Sequence, residues 1–258
     1  MDTKKYTPKY FHDNMPEWKR VKDPFLSRIF YRPVSFLLAS LCAKMGVGAN
    51  AVSYWSAVVA IAACALFVPN NHICHIIAAV LVNVWLLMDC TDGNLARGVK
   101  KQPFGEFADS MSSYILVGFL ITFMGFACYH VGGIIVPKGN LWIVLFACIA
   151  STSDTMMRLI YQKYKATERK LQDAGILEAE YDVRFDNAQT NNWRVRIESD
   201  LGIGGILPLM VLLGVIFNAI DIVIIYCLCY YGGSFVISTI NLVVKAVKNQ
   251  IKYADKFK

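Results

Sequence analysis

Two stretches of the chain, Ala51 to Val68 and Leu201 to Ala219, run without one charged side chain, and comparable apolar runs recur between and after them. A helix needs about 18–20 such residues to cross the hydrocarbon of a bilayer, and a soluble domain has no use for several. With 56% hydrophobic and 17% charged residues among 258, disorder, a collagen repeat and a small disulfide-stapled fold are excluded. The expected fold is all-α, a polytopic six-transmembrane-helix bundle with spans at roughly 50–68, 75–97, 105–129, 141–163, 202–218 and 220–244.

A net charge of +7 would suit a nucleic-acid binder, but the basic residues lie between apolar segments rather than on one soluble face, so no nucleic-acid partner is expected. Their distribution sets orientation instead. Six crossings put both termini on one side, and the outer loops are then 69–74, 130–140 and the turn near 219. Lys138 alone of the 26 Lys and Arg falls in them, which places the termini and the 97–105 and 163–200 loops in the cytoplasm.

Residues 1–32 interleave Lys4, Lys5, Lys9, Lys19, Arg20, Lys22, Arg28 and Arg32 with Tyr6, Tyr10, Phe11, Trp18, Phe25, Phe30 and Tyr31, the composition of an amphipathic juxtamembrane arm on an anionic lipid surface. The membrane domain follows from 33 to 258, with a mixed-charge cytoplasmic connector at 164–200. No cleavable signal is evident, and the expected home is the plasma (inner) membrane. The cysteines sit in or beside apolar runs, where a thiol is a small hydrophobe and no disulfide framework is implied.

The second span is apolar from Ile76 to Met88 apart from Asn83, then reads Asp89-Cys-Thr-Asp92-Gly93-Asn-Leu-Ala96-Arg97. At the helical period of about 100° per residue, Asp89, Asp92, Gly93, Ala96 and Arg97 share one arc of roughly 140°. Gly98 and Pro103 punctuate a short return, and the next helix brings Gly105, Asp109, Ser112 and Ser113 to one face. An antiparallel hairpin can therefore aim Asp109 at Asp89 and Asp92. Carboxylates gathered at that depth repel and are poorly solvated, and a divalent cation is the simplest way to keep them ionised. The donor set is hard oxygen, suited to magnesium, manganese or calcium, and a bridged pyrophosphate with Arg97 neutralising phosphate fits the same residues. The plainer reading is an ion-paired helix contact in which Arg97 and Lys100 or Lys101 neutralise the acids.

The run Asp89-x-x-Asp92-Gly93-x-x-Ala96-Arg97, seven residues, Gly105-x-x-x-Asp109 resembles the signature of the CDP-alcohol phosphotransferase (CDP-alcohol phosphatidyltransferase) family of integral membrane enzymes. Upstream, Asn50-Ala-Val-Ser53 is loosely similar to the start of that family's first core helix. The resemblance implies that Asp89, Asp92 and Asp109 hold two Mg2+ or Mn2+ ions. It implies that Gly93, Ala96, Arg97, Gly105 and Asn50 shape the pocket of a CDP-linked donor, CDP-diacylglycerol or a CDP-alcohol. An alcohol or lipid acceptor then displaces CMP in phospholipid or related lipid biosynthesis. Membrane lipids and a second copy of the chain, as a homodimer, are the implied partners.

The family's fourth aspartate falls at Ser113, whose hydroxyl is too weak an acid to serve as a general base at neutral pH. Three explanations stay open beside Asp109. Glu106 or a group on another helix takes the proton; the acceptor is a phosphate or carboxylate that needs little help; or the protein binds its nucleotide lipid without turnover. Arg158, four residues after Asp154, either pairs with it or, with Arg194 and Arg196, binds an anionic acceptor. His72, Cys74, His75 and His130 belong to the outer edge and read as packing rather than zinc ligation. A transporter using the intramembrane acids as an ion or proton path is the rival from another class.

Overall fold

The structure is a computed structural model that describes residues 3–177 and 199–254, and these are helical, with no strand among them. Short helices α1 (Pro8–Asp13) and α2 (Glu17–Lys22) lead through a π-helical turn at Ser27–Tyr31 into α3 (Arg32–Lys44). Then come α4 (Ala49–Leu66), α5 (His72–Gly98), α6 (Gly105–Val131), α7 (Leu141–Asp173), α8 (Leu207–Ile216) and α9 (Ile220–Lys252). Side chains of Asn71 and Asn140 accept from Ile73 N–H and Trp142 N–H and so cap α5 and α7.

Five of these helices, α4, α5, α6, α7 and α9, are long and apolar enough to cross a membrane. Their outward faces carry Trp55, Ile61, Phe119, Trp142, Ile149, Leu159, Ile237 and Ile240 exposed, a surface that only lipid would cover. The chain is therefore a multi-pass membrane protein. Trp85, Leu120, Met124, Ala147, Val211, Ile224 and Cys227 fill the core between them. A Cβ on Gly125 would stand 2.7 Å from that of Ala147, so this glycine lets α6 and α7 approach closely.

The expected fifth span, 202–218, is corrected. Only ten residues, Leu207–Ile216, form the apolar helix α8, about half the length a hydrocarbon core requires. Pro208 stands at its first turn, and upstream the chain folds back on itself, Ile206 N–H donating to Asp200 C=O at 2.8 Å. Gly205 lies against that carbonyl with no space for a Cβ. Asn83, the polar residue inside α5, donates to Pro208 C=O at 2.9 Å and accepts from the Tyr31 hydroxyl, pinning the start of α8 against α5. At the other end Ala219 N–H caps Gly214 C=O, and the following Asp221 accepts from Ile135 and Val136 N–H. The break is thus satisfied by partners at both ends, as polar backbone within a membrane must be.

Residues 164–173 of the expected connector are the end of α7, with Glu168 buried and paired to Lys165 at 2.7 Å and Lys245 at 3.6 Å. Residues 178–198 lie outside the described residues. The N-terminal arm divides. Tyr6, Phe11 and Met15 are buried with Phe36, Ala39, Ala43, Val52 and Leu95 in a second cluster, while Trp18, Phe25 and Phe30 are exposed. The Tyr10 hydroxyl donates to Gly98 C=O at 2.8 Å, and Phe11 fills the space a side chain at Gly98 would need. The arm is therefore packed on the last turn of α5, beside the acidic hairpin.

Candidate active site

Asp89 and Asp92 stand one turn apart near the end of α5, and Asp109 lies one turn into α6. The Asp89 and Asp109 carboxylates lie close enough to interact electrostatically. Asp89 is half-buried and Asp109 exposed, so the pair opens at the surface of the bundle end. Asp92 is within Coulombic range of both but is buried and accepts from the Ser53 hydroxyl at 2.5 Å. Behind Ser53 runs a dry hydroxyl chain: Ser56 Oγ donates to Ser53 C=O at 2.8 Å and meets Ser112 Oγ at 2.6 Å, which accepts from Trp85 Nε1 at 2.9 Å. That chain fixes α4, α5 and α6 to one another just below the acids.

The glycines make room. The guanidinium of Arg97 lies over Gly93, 3.0 Å from where a Cβ would stand, and Gly105 faces the Asn50 side chain at 3.3 Å. Asn50 holds the hairpin return, its Nδ2 donating to Pro103 C=O at 2.8 Å and its N–H to Gln102 Oε1 at 2.9 Å. Its Oδ1 is buried without a hydrogen-bond partner. Phe104, the last residue of the return, adopts φ 58°, a left-handed conformation uncommon for a bulky residue. Ala96 is half-buried on the same face, Glu106 is exposed in the first turn of α6 within Coulombic range of Asp109, and Ser113 is half-buried one turn beyond Asp109.

Among the described residues no three His, Cys, Asp or Glu side chains converge closely enough to hold an ion as they stand. The structure brings Asp89 and Asp109 together and commits Asp92 to Ser53. Asp89 and Asp109 are hard-oxygen donors, the chemistry that suits a divalent cation of the Mg2+ or Mn2+ type. Arg158 Nε bonds Asp154 Oδ1 at 3.0 Å, and its guanidinium also stands over the Tyr114 ring at 5.9 Å. Arg194 and Arg196 lie outside the described residues. His75 Nε2 meets Pro69 C=O at 2.7 Å at the far end of α5, a packing role.

Arg32 and Asp23 have no place in a reading of the arm as a lipid-facing strip. Arg32 is buried, bidentate to Asp23 at 2.6 and 3.0 Å, and its Nη1 donates to Cys90 C=O and Asn94 Oδ1, both at 3.2 Å. Asn94 in turn donates to Ser35 and accepts from Arg97. Lys19 adds a bridge to Asp23 at 3.1 Å. Burial alone would raise the Asp23 carboxyl, but the hydrogen bonds and charge of Arg32, helped by Lys19, hold it below the ordinary aspartate range. Nothing in the sequence marks this clasp, because its partners are remote and its charges look like the rest of a basic arm.

A sequence model of the CDP-alcohol phosphatidyltransferase family matches residues 46–177, just over half of the 258. The chain belongs to that family. The match contains the whole hairpin, Asn50 and Ser53, and leaves the N-terminal arm, α8 and α9 outside it. Among curated proteins nothing matches the chain. The family transfers phosphatidyl groups from CDP-alcohols in lipid synthesis, so this is a chain of a transferase family built into a membrane.

Proposed function

We propose that this chain transfers a substituted phosphoryl group from CDP-diacylglycerol or a CDP-alcohol to an alcohol or lipid acceptor. In that reaction the acceptor oxygen bonds to the phosphorus carrying the alcohol moiety, the P–O bond to CMP breaks, and the hydroxyl proton leaves. The reading is carried by the Asp89–Asp109 pair, set among Gly93, Arg97, Gly105 and Asn50 within the family-matched stretch. A site at the end of the bundle, beside lipid-facing helices, can take a head group from water and a tail from the leaflet.

The family is generally dependent on divalent metal, and here Asp89, Asp109 and Asp92 would hold Mg2+ or Mn2+, two ions in the full site. When bound, such ions neutralise phosphate charge and stabilise the incoming and departing oxygens. Arg97 over Gly93, with Ala96, Gly105 and Asn50, walls the nucleotide pocket. Glu106, exposed beside Asp109, can take the acceptor proton, and Ser113 can orient the acceptor hydroxyl by a hydrogen bond. Arg158, with Arg194 and Arg196, belongs to the acceptor side of this reading. With α8 and its flanking turns completing a sixth crossing, the Lys and Arg asymmetry puts the site and termini on the cytoplasmic side, and a plasma (inner) membrane is the expected home. A homodimer rests on the resemblance alone.

Ser113 favours a second reading, in which the chain binds a CDP-lipid without turnover. Purified protein in lipid bilayers, given CDP-diacylglycerol, CDP-choline, CDP-ethanolamine and CDP-glycerol with a pool of acceptors and Mg2+ or Mn2+, is expected to release CMP and form a product identifiable by mass. Tight CDP-lipid binding with no CMP from any donor would leave the scaffold reading; neither binding nor release would defeat both. An ion path has less support, since Asp154 is fully buried against Arg158 while the hairpin acids gather at one end.

A further inference from the structure

Arg32, Arg20 and Lys19 of the N-terminal arm differ in what they have left to offer. Arg32 is 7% exposed and spends its donors on Asp23, Cys90 C=O and Asn94, so it fixes the arm and reaches nothing else. Arg20 donates to His12 C=O at 2.5 Å, within the arm. Lys19 is different. Its side chain is 28% exposed, among the described residues it makes one ion pair, to Asp23 Oδ1 at 3.1 Å, and an ammonium has three donors.

The clasp also fixes where that ammonium stands. Asp23 bridges Lys19 to Arg32, and Arg32 is bonded to the carbonyl of Cys90, the residue after Asp89. Lys19 is accordingly within Coulombic range of both Asp89 and Asp109. From the membrane helices the Arg97 guanidinium lies over Gly93 and donates to Asn94, and Glu106 adds an acid beside Asp109.

We infer that Lys19, held by the Asp23–Arg32 clasp that is bonded to α5 at the residue after Asp89, donates a charge-assisted hydrogen bond to the diphosphate of the CDP-linked donor. The inference rests on the proposed reaction. It adds a wall to the site from a segment outside the family match, so that the N-terminal arm forms part of the donor pocket. Arg97, which shares Asn94 with the clasp arginine Arg32, and Lys19 then both serve the diphosphate, while the base and ribose are left to the hairpin and α4.

The test is a ladder of ligands of increasing phosphate charge, cytidine, CMP and CDP, titrated against purified wild type, Lys19→Gln and Lys19→Arg in Mg2+, with thermal unfolding of each variant as a control. Lys19→Gln is expected to weaken CDP about tenfold, CMP less, and cytidine not at all, and Lys19→Arg is expected to recover most of the loss. Loss of all three ligands by one factor, or of none, overturns the inference, since a purely structural lysine does not read phosphate number. If wild type prefers CDP to cytidine while Lys19→Gln behaves identically, Lys19 falls and the proposed reaction stands. If wild type shows no preference for CDP and releases no CMP, the reaction falls and takes Lys19 with it.

Discussion

Two places in the membrane helices carry aspartates, and they solve the problem of a buried charge in opposite ways. Asp154 in α7 is fully buried and has its own cation one turn away, Arg158 at 3.0 Å. At the bundle end, Asp89 and Asp109 face each other, Asp92 has a serine, and the nearest arginines, Arg32 and Arg97, are engaged by Asp23 and Asn94. A helix that supplies an acid with a matching base at i,i+4 has a structural pair. Acids from two helices brought close together, among glycines and with no base of their own, fit the cation site of the proposed function instead.

The largest test of that contrast is Asp89→Asn. Turnover measured as CMP release should fall about 10³-fold, the scale of losing one electrostatic anchor of a transition state. Thermal stability in the absence of added metal should hold or rise, because one of two opposed carboxylates is gone. A fall in stability like that of a broken ion pair would erase the distinction between the two places.

The clasp in the arm is a soluble-side version of the paired solution, and its protonation gives a sharper handle. Both side chains are nearly inaccessible, 2% for Asp23 and 8% for Arg32, so Asp23→Asn should cost about 3 kcal/mol at neutral pH by leaving Arg32 uncompensated. The folded pKa of Asp23 lies below its unfolded value, so this contribution is full above about pH 4 and disappears as pH falls through the folded value. The gap in unfolding free energy between wild type and Asp23→Asn should therefore be constant from pH 5 to 8 and narrow only below about pH 4. A gap independent of pH would mean that the carboxylate charge does not hold the arm.

How much of this was legible in the sequence divides along the same line. The hairpin is local: the 3.6-residue period puts Asp89, Asp92 and Gly93 on one face, and a short return leaves Asp109 nowhere to go but opposite. The starts of α4, α6, α7 and α9 fall within a residue of expectation, because an apolar run begins abruptly in α4, α7 and α9 and the return through Pro103 marks the start of α6. The C-terminal ends of α7 and α9 run on past the expected spans, since a helix does not stop when its side chains turn polar. The shortness of α8 was hidden because Gly202, Gly204 and Gly205 add no charge to an apolar run, and hydropathy does not see a turn. The burial of Tyr6, Phe11 and Arg32 was hidden for another reason. An arm that packs on protein and an arm that lies on lipid use the same residues, and only remote partners such as Gly98 and Asn94 tell them apart.

The smallest expected effect comes from breaking the paired solution itself, by Asp154→Asn. The Arg158 side chain is 30% exposed, so water and head groups can take over part of what Asp154 provides, and about 1–2 kcal/mol should be lost rather than the full cost of stranding a buried charge. CMP release per folded molecule should stay within about twofold of wild type, as surface-type substitutions away from a site do. If Arg158 instead binds an anionic acceptor, freeing it from Asp154 should change the acceptor KM while kcat and the donor KM hold. Measuring unfolding and acceptor KM on the same variant therefore separates an arginine that serves the fold from one that serves the substrate.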